Sequence, residues 1–176
     1  MIAFEGFSAA LDFPPAKGSL LEPSPGGWVY ILFWVADGRP VPLYVGETGE
    51  RTLAKRLGWY ERGYLTTPTD FHVCEAIKHL RSKKHSVVLR FKPTQDKKSR
   101  KTEERTIIRE LLCSGVWLLN CLPRYACPKI GEIDEAGLKG LEGAERNAVQ
   151  RFCEMVTEYQ KQVLRAQNTR AQDDNS

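Results

Sequence analysis

Trp28-Val29-Tyr30-Ile31-Leu32-Phe33-Trp34-Val35 and Val41-Pro42-Leu43-Tyr44-Val45 are the two runs whose reading decides the fold. The first is rich in aromatic and β-branched residues, the second is shorter, and each carries a tyrosine, which predicts two strands. Asp37-Gly38 between them marks a hairpin turn. After Gly46 the polar stretch Glu47-Thr48-Gly49-Glu50 suits the end of a strand and the start of a helix over 51–62. On that helix Arg56 and Tyr60 lie four apart and share a face. The hairpin presents two phenols to an arginine/tyrosine face, which makes this stretch a candidate site.

Downstream, a second helix is predicted over 71–83, with Val73, Ile77 and Leu80 on one side and Thr69 or Asp70 as its cap. Residues 86–91 read as a third strand that Pro93 ends. Residues 94–100 read as a basic, flexible connector. The clearest helix spans 101–113, where Ile107, Ile108, Leu111 and Leu112 form a stripe and Ser114-Gly115 a stop. A short apolar return over 116–119 leads into Asn120, and Pro123 and Pro128 then break the chain into an irregular crossing. Beyond Gly131 come two helical patterns. The second, over 144–167, carries Phe152, Met155, Val156, Tyr159 and Val163 at helical spacing. The expected organisation is an N-terminal arm over 1–25, with Phe4, Phe7, Leu11 and Phe13 offering a short strand or turn to the body. An α/β domain over 26–122 follows, then a crossing and helical extension over 123–168 and a disordered tail over 169–176. The domain should hold a central, mainly antiparallel three-stranded sheet flanked by helices. The C-terminal aromatic stripe most simply packs on that domain, and a homodimer contact through it is the sharper alternative.

With 176 residues, 41% hydrophobic and 27% charged, the chain can bury one real core and has the composition of a soluble globular protein. No apolar run approaches the length of a bilayer span, which excludes a membrane role. The five cysteines form no CxxC pair and no secretory leader is visible, so they read as reduced thiols of a cytoplasmic protein. Cys113, Cys121 and Cys127 with His85 match no usual zinc spacing. The net charge of +4 is unevenly spread. Between Lys78 and Lys101 ten lysines and arginines face one acid, Asp96, whereas from Gly131 onward nine acids outnumber six bases. This asymmetry suggests a local contact with a polyanion, most simply nucleic-acid phosphate, against the plainer reading of a solvated basic hairpin. Lys83, Lys84, Arg90, Lys92, Lys97, Lys98, Arg100 and Lys101 are the candidate backbone contacts, which position a duplex without reading its sequence.

Taken singly, Tyr30 and Tyr44 are core aromatics, Arg56 a solvated helix charge and Glu104 a helix-surface acid. If Tyr30, Tyr44, Arg56, Tyr60 and Glu104 converge, the set has a logic for phosphodiester hydrolysis. The guanidinium offers a fixed charge and a fork for phosphate oxygens. A carboxylate can hold a hard divalent cation that completes its shell with substrate phosphate and neutralises developing charge. A phenol can position or deprotonate the attacking water, once a neighbouring arginine or metal lowers its pKa from about 10.

Over residues 26–122 the sequence resembles the GIY-YIG nuclease domain. The two signature tripeptides appear as Trp28-Val29-Tyr30 and Tyr44-Val45-Gly46, with Trp28 standing where the first has glycine. The arginine of the following helix is matched by Arg56 in Lys55-Arg56-Leu57, and the His or Tyr four residues on by Tyr60. The metal-binding glutamate is matched by Glu104 in Glu104-Arg105-Thr106-Ile107-Ile108-Arg109, and the closing asparagine by Asn120 in Leu118-Leu119-Asn120. Glu103 adjoins Glu104, but adjacent helical residues point about 100° apart and only one can face the site. The resemblance implies a DNA endonuclease dependent on Mg²⁺ or Mn²⁺. Tyr30 would serve as general base or water-positioner assisted by Tyr60, while Tyr44 supports the site and the scissile phosphate. Arg56 would stabilise the phosphorane-like transition state, Glu104 would ligate the metal, and Asn120 would brace the site. The alternative is a non-catalytic nucleic-acid-binding protein that keeps the fold. Restriction, repair or recombination, and mobile-element roles all remain open to such a chain.

Overall fold

The structure, a computed structural model, describes residues 4–16, 24–36, 38–49, 53–62 and 68–121, with isolated positions 143, 147, 150, 151 and 154. The crossing, the two helical patterns beyond Gly131, the dimer contact and the C-terminal tail lie outside the described residues.

The long apolar run forms β2 (Trp28–Ala36), which pairs antiparallel with β3 (Arg39–Thr48). Gly38 closes the hairpin with φ 75°, a left-handed conformation open to glycine without steric cost. Strand β4 (Ser86–Pro93) pairs antiparallel with the other edge of β2, from Trp28 opposite Pro93 to Val35 opposite Ser86. The sheet has four strands rather than three. The N-terminal arm supplies β1 (Leu11–Asp12) on the outer edge of β4, giving the order β1-β4-β2-β3.

Strand β2 reads as almost continuously hydrophobic because both its faces are buried. Tyr30, Leu32 and Trp34 point into a core with α1 (Leu53–Arg62) and α2 (Pro68–Ser82), among Leu53, Leu57, Val73, Ile77 and Leu80. Val29, Ile31 and Phe33 point the other way, against Ile107 and Leu111 of α3 (Lys97–Cys113). Phe4 and Phe7 of the arm pack on this second core, with Phe4 edge-on to Phe33 at 5.4 Å. A register shift between Leu32 and Phe33 lets Leu43 join the first core with Tyr44.

Two element boundaries differ from the sequence expectation for definite reasons. Helix α2 starts at Pro68, at the first helical position where a missing N–H costs nothing. Helix α3 starts at Lys97, so 97–100 is helix and not a flexible connector. The Asp96 side chain accepts from the Lys98 and Ser99 backbone N–H groups at 2.7 and 2.8 Å and nucleates that first turn. The chain beyond Val116 closes as a 3-10 turn over Leu119–Cys121. Among the described residues, no helix is long and apolar enough to cross a membrane.

Candidate active site

The pleat of β2 turns Tyr30 toward α1, and the neighbouring strand sets Gly46 directly opposite it. That pairing explains the glycine. A Cβ at position 46 would fall 2.4 Å from Tyr30 Cζ, 2.5 Å from its hydroxyl and 2.8 Å from Tyr44 Cε1, so the Tyr30 ring lies flush on the β3 backbone. From α1, Tyr60 brings its hydroxyl to 2.7 Å from that of Tyr30. The Tyr44 ring stands 6.3 Å from both the Tyr30 and Tyr60 rings. One helical turn earlier, the Arg56 guanidinium lies 5.1 Å from the centroid of the Tyr60 ring and 5.4 Å from that of Trp59. Its Nη2 donates to Asp70 Oδ1 of α2 at 2.5 Å. Four residues singled out from sequence, Tyr30, Tyr44, Arg56 and Tyr60, are thus together on one face of the sheet. Trp28, in the place of the signature glycine, opens β2 on the same face with its ring edge-on to Phe91 at 5.5 Å. Its indole N–H is buried without a hydrogen-bond partner.

All three phenols are buried, and that burial is the main reason their pKa values lie above the ordinary tyrosine value. The positive charge of Arg56 offsets part of the effect at each. At neutral pH they are neutral hydroxyls. Burial alone would lower the Arg56 pKa, but the Tyr30 and Tyr60 oxygens and the Asp70 carboxylate reverse that and raise it. Arg56 is therefore a permanent cation, and its side chain keeps 17% of its surface exposed.

The acidic residues lie across the edge strand. Along β3, Val45 faces the α3 core, and Glu47, two residues on, shares its side of the pleat. Arg100 of α3 donates from Nε to Glu47 Oε2 at 2.5 Å and from Nη1 to the Gly26 carbonyl. Glu104, one turn further along α3, is pushed up to about 7, first by burial and then by the charge of Glu47, with Arg105, Lys101 and Arg100 acting against them. Its charge is also felt by Tyr44. Glu103 points elsewhere and pairs with Lys92. Among the described residues no group of three or more His, Cys, Asp or Glu could hold a metal. Glu104 with Glu47 beside it offers two hard oxygen donors, which suits a cation that retains water and finishes its shell with substrate phosphate.

Asn120 is bonded to the strand that carries Tyr44 and Gly46. It accepts from the Val45 N–H at 3.0 Å and donates to the Val45 carbonyl at 2.8 Å, filling both backbone positions on the open edge of β3. Two further residues belong to this neighbourhood without having been singled out from sequence. Glu47 read as part of a polar turn, although strand periodicity puts it on the side of Val45. Asp70 read as a helix cap, and no spacing rule connects it with Arg56.

The basic segment is not one surface. Arg100 is buried and ion-paired, which corrects its reading as a phosphate contact. Arg90 donates to the Ser8 carbonyl and lies over Phe4, while Lys92 lies over Phe7 and pairs with Glu103. Lys83 and Lys84 are exposed in the α2–β4 turn. From there to the level of Tyr30, opposite Phe91, is five residues of β4 or about 17 Å. Lys97, Lys98 and Lys101 are exposed at the start of α3. Lys97 and Lys101 share the face of Glu104 by their helical spacing. His72 is buried and its pKa lowered for that reason, and Cys74 is a buried free thiol, whereas Cys113 is exposed. Comparison with protein families, with curated proteins and with solved structures returns no match.

Proposed function

We propose that this chain is a divalent-metal-dependent endonuclease of the GIY-YIG type that hydrolyses phosphodiester bonds of DNA. The observation that carries the reading is the grouping of Arg56 with the Tyr30–Tyr60 hydroxyl pair and Tyr44 on one face, with a carboxyl, Glu104, across the edge strand β3 whose pKa is raised to about 7. Burial of an ionisable acid beside a second acid costs stability and is typical of functional sites.

Arg56 is the solvent-reaching cation of the set. With N–H groups committed to Asp70 and to the Tyr30 oxygen, the remainder of its fork can meet phosphate oxygens and stabilise charge that grows on them. With its O–H given to Tyr60 as a hydrogen bond, the Tyr30 oxygen keeps a lone pair for a water and aims that water at phosphorus. The water must enter with substrate, because the phenol has no exposed surface. This role asks for no phenolate, in keeping with the raised pKa values. Tyr44 borders the phenol pair and supports the phosphate. Glu104, with Glu47 next to it, would hold the cation, and Mg²⁺ or Mn²⁺ there supplies charge neutralisation at the phosphate and the leaving oxygen. Lys97 and Lys101, on the Glu104 face of α3, would meet the DNA backbone near that acid.

The test is nicking of supercoiled plasmid with Mg²⁺ or Mn²⁺, beside Glu104→Ala and Arg56→Ala. Cutting should fall by about 100-fold or more in each variant, with DNA binding retained in Glu104→Ala. Undiminished cutting in both variants sinks the assignment, and binding without cutting by the unaltered chain favours the non-catalytic reading.

A further inference from the structure

Asp70 is fully buried in the first turn of α2, and one of its carboxylate oxygens lies 2.5 Å from Arg56 Nη2. The helix start favours a negative charge there, and a buried carboxylate persists as an ion only when paired. The location of the pair matters more than its existence. A long, rotamer-rich side chain on α1 is fixed from α2 at the one atom group that also lies over Tyr60 and interacts with Tyr30. An arginine that must meet a phosphate in one orientation gains from such an anchor, because a displacement of about 1 Å at a reacting group can cost on the order of 100-fold in rate.

We propose that Asp70 is the positioning residue of Arg56. It holds the guanidinium against the Tyr30–Tyr60 pair with its free N–H groups turned to substrate, and it does so at the expense of ground-state attraction for DNA. The inference rests on the nuclease reading and names a residue outside the GIY-YIG resemblance. A plain tie between α1 and α2 would look the same in the structure but behave differently in solution. If Asp70 only holds the two helices together, its loss lowers the amount of folded enzyme and leaves the kinetics of the folded fraction alone. If it positions Arg56, its loss slows the chemical step. The guanidinium it releases still attracts phosphate, so KM does not rise.

The experiment is a double-mutant cycle on plasmid nicking with Mg²⁺, using the full chain, Asp70→Asn, Arg56→Ala and the double variant. Active-site titration or circular dichroism corrects for folded protein. The expected result is a fall in kcat of about 10- to 100-fold for Asp70→Asn with KM unchanged or lower, and less than about twofold further loss when Asp70→Asn is added to Arg56→Ala. An equal loss in both backgrounds overturns the inference, as does a raised KM with unchanged kcat. Should Asp70→Asn fail to fold, Asp70→Glu carries the same cycle. It retains the charge on a longer arm, so the fork is displaced and kcat falls only where Arg56 is present. A parent chain that cuts no DNA overturns the nuclease reading and this inference with it, whereas a parent that cuts with no coupling between the two residues overturns the inference alone.

Discussion

Asn120 offers the sharpest test of the geometry, because both its amide atoms are committed to one residue. Its Oδ1 takes the Val45 N–H at 3.0 Å and its Nδ2 gives to the Val45 carbonyl at 2.8 Å. Val45 itself has no exposed surface, so water cannot simply replace the lost partner. Asn120→Ala removes two neutral hydrogen bonds, each worth about 1 kcal/mol net, and leaves a buried donor and acceptor behind, for a loss of about 2–3 kcal/mol. That is a large share of the roughly 5–15 kcal/mol that holds such a domain together. Asn120→Asp should be worse at neutral pH despite its near-identical shape. One oxygen still accepts from the Val45 N–H, but the other replaces a donor with an acceptor facing the Val45 carbonyl.

The sign of the pH dependence follows from that clash. The introduced carboxyl is better accommodated when protonated, since it then regains a donor, so its folded-state pKa lies above its unfolded value of about 3.9. Stability is therefore fully present below about pH 4 and is lost as pH rises through the folded pKa. Urea denaturation followed by far-UV circular dichroism near pH 7 and near pH 4 measures both effects. Asn120→Asp should be less stable than Asn120→Ala near pH 7 and recover relative to it near pH 4. An Asn120→Ala loss under about 0.5 kcal/mol, or an Asn120→Asp variant no worse than Asn120→Ala near neutrality, refutes the double clamp on Val45.

Two other predictions address each half of the site. Gly46→Ala puts a methyl 2.4 Å from Tyr30 Cζ and should cost about 1–3 kcal/mol while breaking the Tyr30–Tyr60 contact. Denaturation and the tyrosine ultraviolet spectrum report these, and Tyr30→Phe should give no rescue, since Cζ remains. Glu104 titrates at about 7 instead of about 4.5, so the stability it contributes is present below the unfolded value and lost as pH rises through the folded one. Unscreened, that difference corresponds to about 3.4 kcal/mol at 1.36 kcal/mol per pH unit. Partial exposure reduces it to about 1–2 kcal/mol. Glu104→Gln should thus be more stable than the parent by about that amount near pH 8 in chelator and equal to it near pH 4. A parent as stable as Glu104→Gln near pH 8 would contradict the buried-acid geometry.

The hairpin was legible because β2 is buried on both faces, and such a strand needs an almost unbroken apolar run. Arg56 and Tyr60 were legible because one helical turn links them. Strand β1 was harder to see, since it has two residues and owes its place to Phe4, Phe7 and Phe13 packing on the body. The start of α3 was hidden by its lysines, although Asp96 followed three residues later by Ser99 is a capping signal that could have been read. In the sequence only the resemblance separates Glu104 from its neighbour Glu103. In the structure Glu103 pairs with Lys92, while Glu104 lies within the influence of Glu47. Glu47 and Asp70 escaped the sequence because their arginine partners are 53 and 14 residues away in the chain. Only the tertiary fold brings them together, and no local period encodes it.

Strand β3 joins what the two faces of the sheet keep apart. Tyr44 and Gly46 turn toward the phenols, and Val45 and Glu47 turn toward α3, so one pleat of one strand sets the offset between Arg56 and Glu104. That strand is an edge, where unpaired backbone groups leave the position least constrained. Asn120 supplies the missing neighbour at Val45, midway between the phenol half and the acid half. Arg100 fixes the far end by holding Glu47 and, through the Gly26 carbonyl, the segment that leads into β2. Asn120 and Arg100 thus tie down β3 between the two halves, and Asp70 pairs with Arg56 on the opposite face. Displacing β3 at Val45 must move both halves together, whereas releasing Arg100 frees the acid half alone.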